Sequence, residues 1–512
     1  MEPPPGEALR LTELVAAISL ATDLGTGQPM GHALRTCRLA MTVAAQLGLD
    51  AQATADVHFV ALLRFLGCVA DAPEMAHLAG GDNTAFFAAM APVYMGSTGA
   101  ALRTLARGVG RGRPPGRRAR LLVEALGAAR SEVSHCEIGA RLAARLGLGE
   151  GVVDALAHAY ERWDGRGLPD GLAADAVPVA VRVVVVARDA VLWARLAGPA
   201  TALEVLAQRR GRAYDPAVVD AVRVVGVPDG DDRSVWEDVL AFEPDPVRRI
   251  GAVALDRALA AVGDFADFRS TWTRGRSARV AELAAAAGTA CRLPAGDVVT
   301  LRRAGWVADV GAVGVPAGVW ERRGPLGVEE TERVRLHPYL SERVLGRCTG
   351  LGRVAALAGA HHERLDGSGY HRGSAAAQLP TATRLLAAAD VWTALGEERP
   401  HRRAYGPAEA RDVLWAEATA GRLDPDAADA VLAADGQAER RARTPRPAGL
   451  SEREVEVLRL IARGRSNREV AARLSISAKT VGHHVGHIYA KIGVTTRPAA
   501  ALFAVEHDLL RE

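Results

Sequence analysis

An all-α fold is what the sequence predicts, on three observations. Ala- and Leu-rich segments with 3.6-residue periodicity run through most of the 512 residues. Strand-like alternation of apolar and polar residues is scarce, and the C-terminal end carries helix start and stop signals in close succession. With 49% hydrophobic and 24% charged residues the chain reads as globular rather than disordered, with room for about three domains. The cysteines Cys37, Cys68, Cys136, Cys291 and Cys348 are odd in number and never form a Cys-x-x-Cys pair. Neither a disulfide framework nor a thiolate zinc knuckle is suggested, and a reducing cytoplasm fits. Met1-Glu-Pro-Pro-Pro does not read as an export signal. The greasiest run, Val177 to Leu196, is broken by Arg182, Arg188, Asp189 and Arg195, so no membrane span is expected.

From the N-terminus onward the chain repeats itself. Ala21-Thr-Asp23-Leu with His32 and Arg35 lines up with Phe265-Ala-Asp267-Phe with Arg276 and Arg279, and at the same offset Leu62-Leu63-Arg64 and Gly67 meet Trp306-Val307-Ala308 and Gly311. At a second offset Glu161-Arg-Trp-Asp164-Gly-Arg-Gly167 matches Glu363-Arg-Leu-Asp366-Gly-Ser-Gly369, and His135 matches His337. The offsets differ because the first copy carries a longer insert, in which Arg111-Gly-Arg-Pro-Pro-Gly-Arg-Arg-Ala-Arg120 reads as a loop. The Asp-Gly-x-Gly pieces read as tight turns that need positive φ. Pro- and Asp-rich stretches at Val227–Arg233 and Glu243–Pro246 mark the join. The expected domains are 1–247 and 248–437 for the two copies, 438–449 for an extended basic tether containing Arg440-Arg-Ala-Arg-Thr-Pro-Arg-Pro447, and 450–512 for a C-terminal head.

Within the second copy, Leu301-Arg-Arg-Ala-Gly, Gly314-Val-Pro316, Arg335-Leu-His-Pro-Tyr-Leu340, His361-His-Glu-Arg-Leu-Asp-Gly-Ser-Gly-Tyr370 and Glu398-Arg-Pro400 follow in order. On these motifs the stretch from about Asp264 to Gly436 is similar to the HD-GYP phosphohydrolase domain. The resemblance implies a helical module whose carboxylates and imidazoles cage adjacent divalent ions. The ions lower the pKa of a bridging water and neutralise a phosphodiester, which is cyclic di-GMP in active members. Carried over residue by residue, Asp309, His337, His361, His362 and Asp390 stand at ligand positions, and all but Asp390 correspond to the family's second ion. The set is incomplete. Arg276 stands where the family has a histidine, the His-Asp pair reads Ala308-Asp309, the following lysine reads Ala312, and Gly-Tyr-Pro reads Gly369-Tyr370-His371. A fixed positive charge at position 276 opposes a dication there, so one divalent ion is the cofactor this set leaves room for, a nucleotide is the ligand class implied, and hydrolysis is expected to be lost. In the first copy the same positions read Arg64-Phe65 and Ala159-Tyr160. His32 and His135 keep ligand positions, His158 is one place out of register, and His32 and His135 are expected as hydrogen-bonded core histidines.

The C-terminal head carries its own punctuation. Ser451 with Glu454 and Ser466 with Glu469 form capping-box patterns, and a third helix opens at Ser477. Val455, Leu458, Leu460 and Ile461, then Val470, Ala471 and Leu474, then Val481, Val485, Ile488 and Ile492 give apolar faces, with Gly464 and Gly493 as stops. From Arg440 to Arg497 there are 13 Lys and Arg against 4 Asp and Glu, in a chain whose formal net charge is only +3. These residues resemble the LuxR-type helix-turn-helix almost position for position. The resemblance implies a scaffold helix from Ser466 to about Leu474, a recognition helix from Ala478 to about Lys491 and a fourth, dimer-forming helix from Thr496 to about His507. Its DNA-binding candidates are Ser466, Asn467, Lys479, Thr480, His483, His484, His487 and Lys491. Lys479, His483 and His487 are expected to read base edges, and Thr480 and Lys491 to hold phosphates.

Together these features give a transcriptional regulator whose partner is double-stranded DNA and whose degenerate tandem body senses a signal or mediates homodimerisation, with RNA polymerase a further partner at the promoter. Two other readings stand beside it. One is a metal-dependent cyclic dinucleotide phosphodiesterase coupled to DNA binding, resting on Asp309, His337, His361, His362 and Asp390. The other is a protein-binding scaffold.

Overall fold

The computed structural model describes residues 9–93, 98–110, 114–127, 131–228, 234–437, 447–474, 476–507 and 509–510. Among them the fold is all-α: helices and 3-10 turns with only isolated bridges, such as Arg10 with Arg249. Most of the expected tether, 438–446, lies outside the described residues, as do 111–113 and 229–233 of the expected loop and join.

The two copies repeat one helical path. Leu11–Gly25, His32–Leu47, Ala51–Leu63, the turn Leu66–Val69, Ser131–Arg145, Glu150–Ala157 and Val179–Ala197 in the first answer to Ala252–Asp267, Arg276–Ala290, Ala295–Val307, the turn Val310–Gly314, His337–Leu345, Gly352–Gly359 and Thr381–Leu395 in the second. A single apolar core runs through both copies, from Leu14, Val60 and Leu206 to Leu259, Leu301 and Leu414. The seam is built by helix exchange: Leu11–Gly25 packs on its own copy and also on Val310–Gly314 and His337–Leu345, while Ala252–Asp267 packs on Ser131–Arg145. Polar contacts hold it, since Thr349 N and Oγ1 donate to the buried Glu13 carboxylate at 2.8 and 3.2 Å. The start of the chain is pinned to the start of the second copy, Leu11 N donating to Arg248 O at 2.7 Å.

One expectation is corrected. The loop expected over Arg111–Arg120 is helical from Pro115, within Pro115–Gly127. Proline is tolerated at a first helical position because the N–H it lacks would have no partner there, and Leu121 buries against Met75, Leu78 and Phe86. The Asp-Gly-x-Gly turns need their glycines for two different reasons. Gly165 and Gly367 adopt φ of 69° and 77°. Gly167 and Gly369 instead sit against backbone, where a Cβ would come within 2.4 Å of Glu161 Cα or Arg364 N.

Ala51–Val69 is apolar and long enough to pass as a membrane span by composition, but most of it is buried inside the body. It carries His58 into the core beside Thr12 Oγ1 and Cys37 Sγ, and burial lowers this imidazole from 6.5 to about 4. A depressed folded pKa contributes stability above the unfolded value and loses it as pH falls towards the folded one. Chemical denaturation is expected to show His58 alone withdrawing about 2 kcal/mol between pH 7 and 5, and a His58→Leu variant to show a correspondingly flatter pH dependence over that window.

The head has a separate core of Val455, Leu458, Ile461, Val470, Ala471, Val481, Ile488, Ala500 and Ala504, with Leu474, Val485 and Ile492 packed at its edge. Its helices are Glu452–Ala462, Asn467–Leu474, Ala478–Ile492 and Arg497–Glu506. Both capping boxes form, Glu454 N and Glu469 N donating to Ser451 Oγ and Ser466 Oγ at 3.2 and 3.3 Å, while Gly464 and Gly493 take φ of 83° and 69°.

A candidate ion pocket and a candidate DNA-binding helix

Helix ends in the second copy aim three buried side chains and one half-buried one at a single point. Asp309 follows Ala295–Val307, His337 opens its helix, and His361 and His362 come just past Gly352–Gly359. Each of the four offers a ligand atom within 4.8 Å of the others. His337 Nδ1 and His361 Nδ1 lie 2.6 Å from the carbonyls of Val334 and Ala358, which only accept, so those nitrogens carry the hydrogens. Both Nε2 atoms therefore turn lone pairs inward. They face each other at 3.2 Å and Asp309 Oδ1 at 3.3 and 3.4 Å. Converging acceptors of this kind need a cation or a shared proton between them, and a donor set of imidazoles and one carboxylate suits a divalent transition ion. The protonation pattern agrees. Burial lowers His337, whereas the hydrogen bond to Asp309 and the charge of Asp390 outweigh burial and raise His361. Burial, with the charges of its two neighbours, holds His362 well below its ordinary value.

Asp390, expected among the ligands, does not join them. Arg276 is buried and takes it, Nη2 lying 2.5 Å from Asp390 Oδ1, while Nη1 reaches Glu397 Oε2 at 2.7 Å and Nε lies 3.5 Å from Asp309 Oδ2. The arginine points into the cluster rather than swinging away. Burial opposes its charge, but the carboxylates of Asp390, Glu397 and Asp309 overcome that and raise its pKa. Arg269, also buried, donates to Asp309 Oδ2 at 2.7 Å. Burial would raise Asp309, yet the charge of Arg269 and the close contacts of His337 and His361, which share a proton or cation with it, hold it well below the usual carboxylate range. The buried cations Arg269 and Arg276, with Arg399 lowered to about 10 mainly by burial, nearly balance Asp309, Asp390, Glu397 and an Asp267 that burial raises to about 6. Such a balance suits one added cation far better than two.

In the first copy the equivalent centre has no such convergence. Arg64 donates to Ala159 O and stacks 5.3 Å from the Tyr160 ring, and Arg188, at the position of Asp390, pairs with Asp189. His32 is buried as expected of a core histidine, with its Nε2 lacking a hydrogen-bond partner. His135 Nε2 lies 3.0 Å from Asp71 Oδ2, and His158 Nε2 lies 3.1 Å from Asp170 Oδ2.

On the head, Ala478–Ile492 buries Val481 and Ile488 and leaves Lys479, Gly482, His483 and Gly486 exposed along the opposite stripe. The other candidates are more engaged than the sequence suggested. Thr480 is half-buried with its hydroxyl 2.8 Å from Ser477 Oγ, and His484 and His487 are half-buried, with burial the main cause of their lowered pKa values. Ser466 Oγ lies 2.9 Å from Glu469, and Asn467 Oδ1 accepts from Arg497 at 3.0 Å. Lys491, expected at a phosphate, is engaged within the head: Nζ donates to the buried Glu454 Oε2 at 2.7 Å and to Gly449 O at 3.2 Å.

Sequence reasoning missed Arg269 and Glu397, whose roles depend on pairing across the fold and leave no periodic trace. It also passed over Arg468 and Arg473, exposed on the scaffold helix. Their signal was present as basic residues beside the apolar positions Val470, Ala471 and Leu474.

The family model described as HD domain matches residues 130–218 and 261–427, together half of the chain, and the model described as bacterial regulatory proteins, luxR family, matches residues 448–504. The 3'3'-cGAMP-specific phosphodiesterase 3 of Vibrio cholerae serotype O1 is 26% identical over 430 residues, covering 81% of this chain and 92% of that protein. A cyclic di-GMP phosphodiesterase response regulator of Xanthomonas campestris pv. campestris is 31% identical over 178 residues, 34% of this chain and 46% of that one. An uncharacterized transcriptional regulatory protein of Bacillus subtilis is 53% identical over 60 residues, 12% of this chain and 28% of that one. The crystal structure of a cyclic GMP-AMP specific phosphodiesterase of V. cholerae shares the fold, with a TM-score of 0.58 at 23% identity, over 84% of this chain and 99% of that one. Helical path, buried His/Asp cluster and capped C-terminal helices thus agree with these matches: the chain belongs to the HD domain family and ends in a DNA-binding domain of the luxR family.

Proposed function

We propose that the protein is a DNA-binding transcriptional regulator, working in the cytoplasm, whose HD-type body has exchanged two-ion hydrolysis for regulation. The observation that carries this is the outer stripe of Ala478–Ile492: Lys479 and His483 are exposed, and the side-chain-free Gly482 and Gly486 between them allow close approach to a groove floor. Arg468 and Arg473 lie on the preceding helix, where phosphates run, and supply sequence-independent affinity. Heads of this kind act on two-fold sites, so a homodimer is the working form. In the body, Asp309, His337, His361 and His362 would hold one divalent ion, which supplies positive charge for a phosphate-bearing ligand; Arg276 holds Asp390 and Glu397 away from a second.

The test is selection of fragmented genomic DNA on the full-length protein at low salt, followed by anisotropy titration of the recovered fragments. Enrichment of discrete sites is expected; recovery no better than a random fragment overturns the proposal. A second reading, cyclic dinucleotide hydrolysis, is favoured by the retained His/Asp cluster and by the names of the relatives. Phosphodiester turnover that disappears in a His361→Ala, His362→Ala double variant would establish it.

A further inference from the structure

We propose that Cys68 in the first copy is an activated thiolate, held by His135, Asp71 and Tyr160, that hydroperoxides oxidise. His135 stands between two acids. Its Nε2 lies 3.0 Å from Asp71 Oδ2, its Nδ1 lies 3.9 Å from Cys68 Sγ, and Tyr160 Oη reaches the same sulfur at 3.3 Å. The Asp71 carboxylate lies within ion-pair range of the imidazole, though not in line with its Nε2–H, and favours an imidazolium whose charge stabilises the thiolate on the other side.

The cluster is not a remnant of the second copy's pocket. At the positions equivalent to Cys68, Asp71, His135 and Tyr160 the second copy has Ala312, Val315, His337 and His362, so only the imidazole of His135 is shared. The other charged or titratable groups nearby are Arg64, stacked on Tyr160, and Cys136, beside His135. Burial opposes the thiolate, but the charge of His135, hydrogen bonds from His135 and Tyr160, and the charge of Arg64 together bring Cys68 below its ordinary value. Burial likewise opposes His135, yet Cys68 and Asp71 raise it to about 10. The remaining thiols are the reverse: burial raises Cys37, Cys136, Cys291 and Cys348.

In the step itself the thiolate sulfur attacks one oxygen of the hydroperoxide, so that an S–O bond forms and the O–O bond breaks. Sulfur gives up two electrons to the peroxide, and His135 passes its Nδ1 proton to the leaving oxygen. The products are a sulfenic acid and water, or an alcohol from an alkyl hydroperoxide. Cys68 itself is 4% exposed, but Asp71 and Tyr160 on its polar side are only partly buried, which leaves a small oxidant a way in. The turn Leu66–Val69 has no slack, since a Cβ on Gly67 would come within 1.9 Å of His135 O, and it packs on Leu11–Gly25 and Ala252–Asp267. An added oxygen there presses on the seam between the copies. That consequence deepens the regulator reading; the thiol chemistry stands without it.

The experiment is competitive alkylation of the full-length, EDTA-treated protein with iodoacetamide from pH 6 to 8, each cysteine read by mass spectrometry, and a parallel hydrogen peroxide exposure trapped with dimedone. Cys68 is expected to label at lower pH than the exposed Cys291 and to be the dimedone adduct. His135→Gln and Asp71→Asn should each slow Cys68 by about tenfold and shift the rise of its rate to higher pH. Labelling of Cys291 first, with Cys68 reached only in denaturant, overturns the proposal, as does a Cys68 pH profile that is the same in wild type and His135→Gln. None of these readouts involves DNA, so failure here is separate from failure of the regulator reading.

Discussion

Arg276→Ala is expected to destabilise the body by about 3 to 5 kcal/mol. The guanidinium is buried and is the shared partner of Asp390, Glu397 and Asp309, so its removal leaves like charges facing one another out of water. Two controls separate charge from geometry. Arg276→Lys keeps a cation but loses the fork that reaches Asp390 and Glu397 together, and should recover only part of the loss. Divalent ion added to the alanine variant should recover more stability than it adds to the wild type, because the freed carboxylates then become ligands and binding to the folded state stabilises it by mass action. Denaturant titration with and without manganese reads both. An alanine variant as stable as wild type, indifferent to metal, would mean that the arginine does not stand in for an ion.

Lys479→Ala is expected to weaken binding to a selected operator by about 1 to 3 kcal/mol. Its exposure next to Gly482 and His483 places it where a base edge would be, so the loss should fall mostly on the specific site, with random DNA affected less and the salt slope reduced by no more than about 1. Lys491→Ala should behave differently. Its Nζ satisfies the buried Glu454, which also closes the first capping box, so the variant should lower the melting temperature of the head more than its affinity at a permissive temperature. Anisotropy on cognate and scrambled duplexes, beside thermal melts, distinguishes the two lysines.

The contrast between these lysines shows what the sequence makes legible. Local signals were readable because their partners are a few residues apart: Ser451 with Glu454, Ser466 with Glu469, and glycines at the helix ends. Internal repetition exposed the two copies, and motif order brought Asp309, His337, His361 and His362 to one point. That Arg276 and Ala308 stand where the resemblance puts ligand histidines was likewise visible. The partners of Arg276 were not. Arg276 finds Glu397 and Asp390 more than a hundred positions away, and Arg269 finds Asp309 40 positions on, with two helices between. Neither pairing leaves a period or a spacing. Lys491 looked free for the same reason, because Glu454 comes beside it only when the first and third helices of the head pack. Arg111–Arg120 misled in the opposite sense: its Pro and Gly suggest a loop, but Pro115 begins a helix because Leu121 has an apolar cluster to bury against.

The claim on which the account turns is that the second copy keeps room for one ion and has filled the other place with Arg276. Equilibrium dialysis of the metal-stripped, full-length protein against manganese measures this directly. One ion per chain is expected, with none retained in a His337→Ala, His361→Ala variant; two ions per chain bound to the wild type would contradict it.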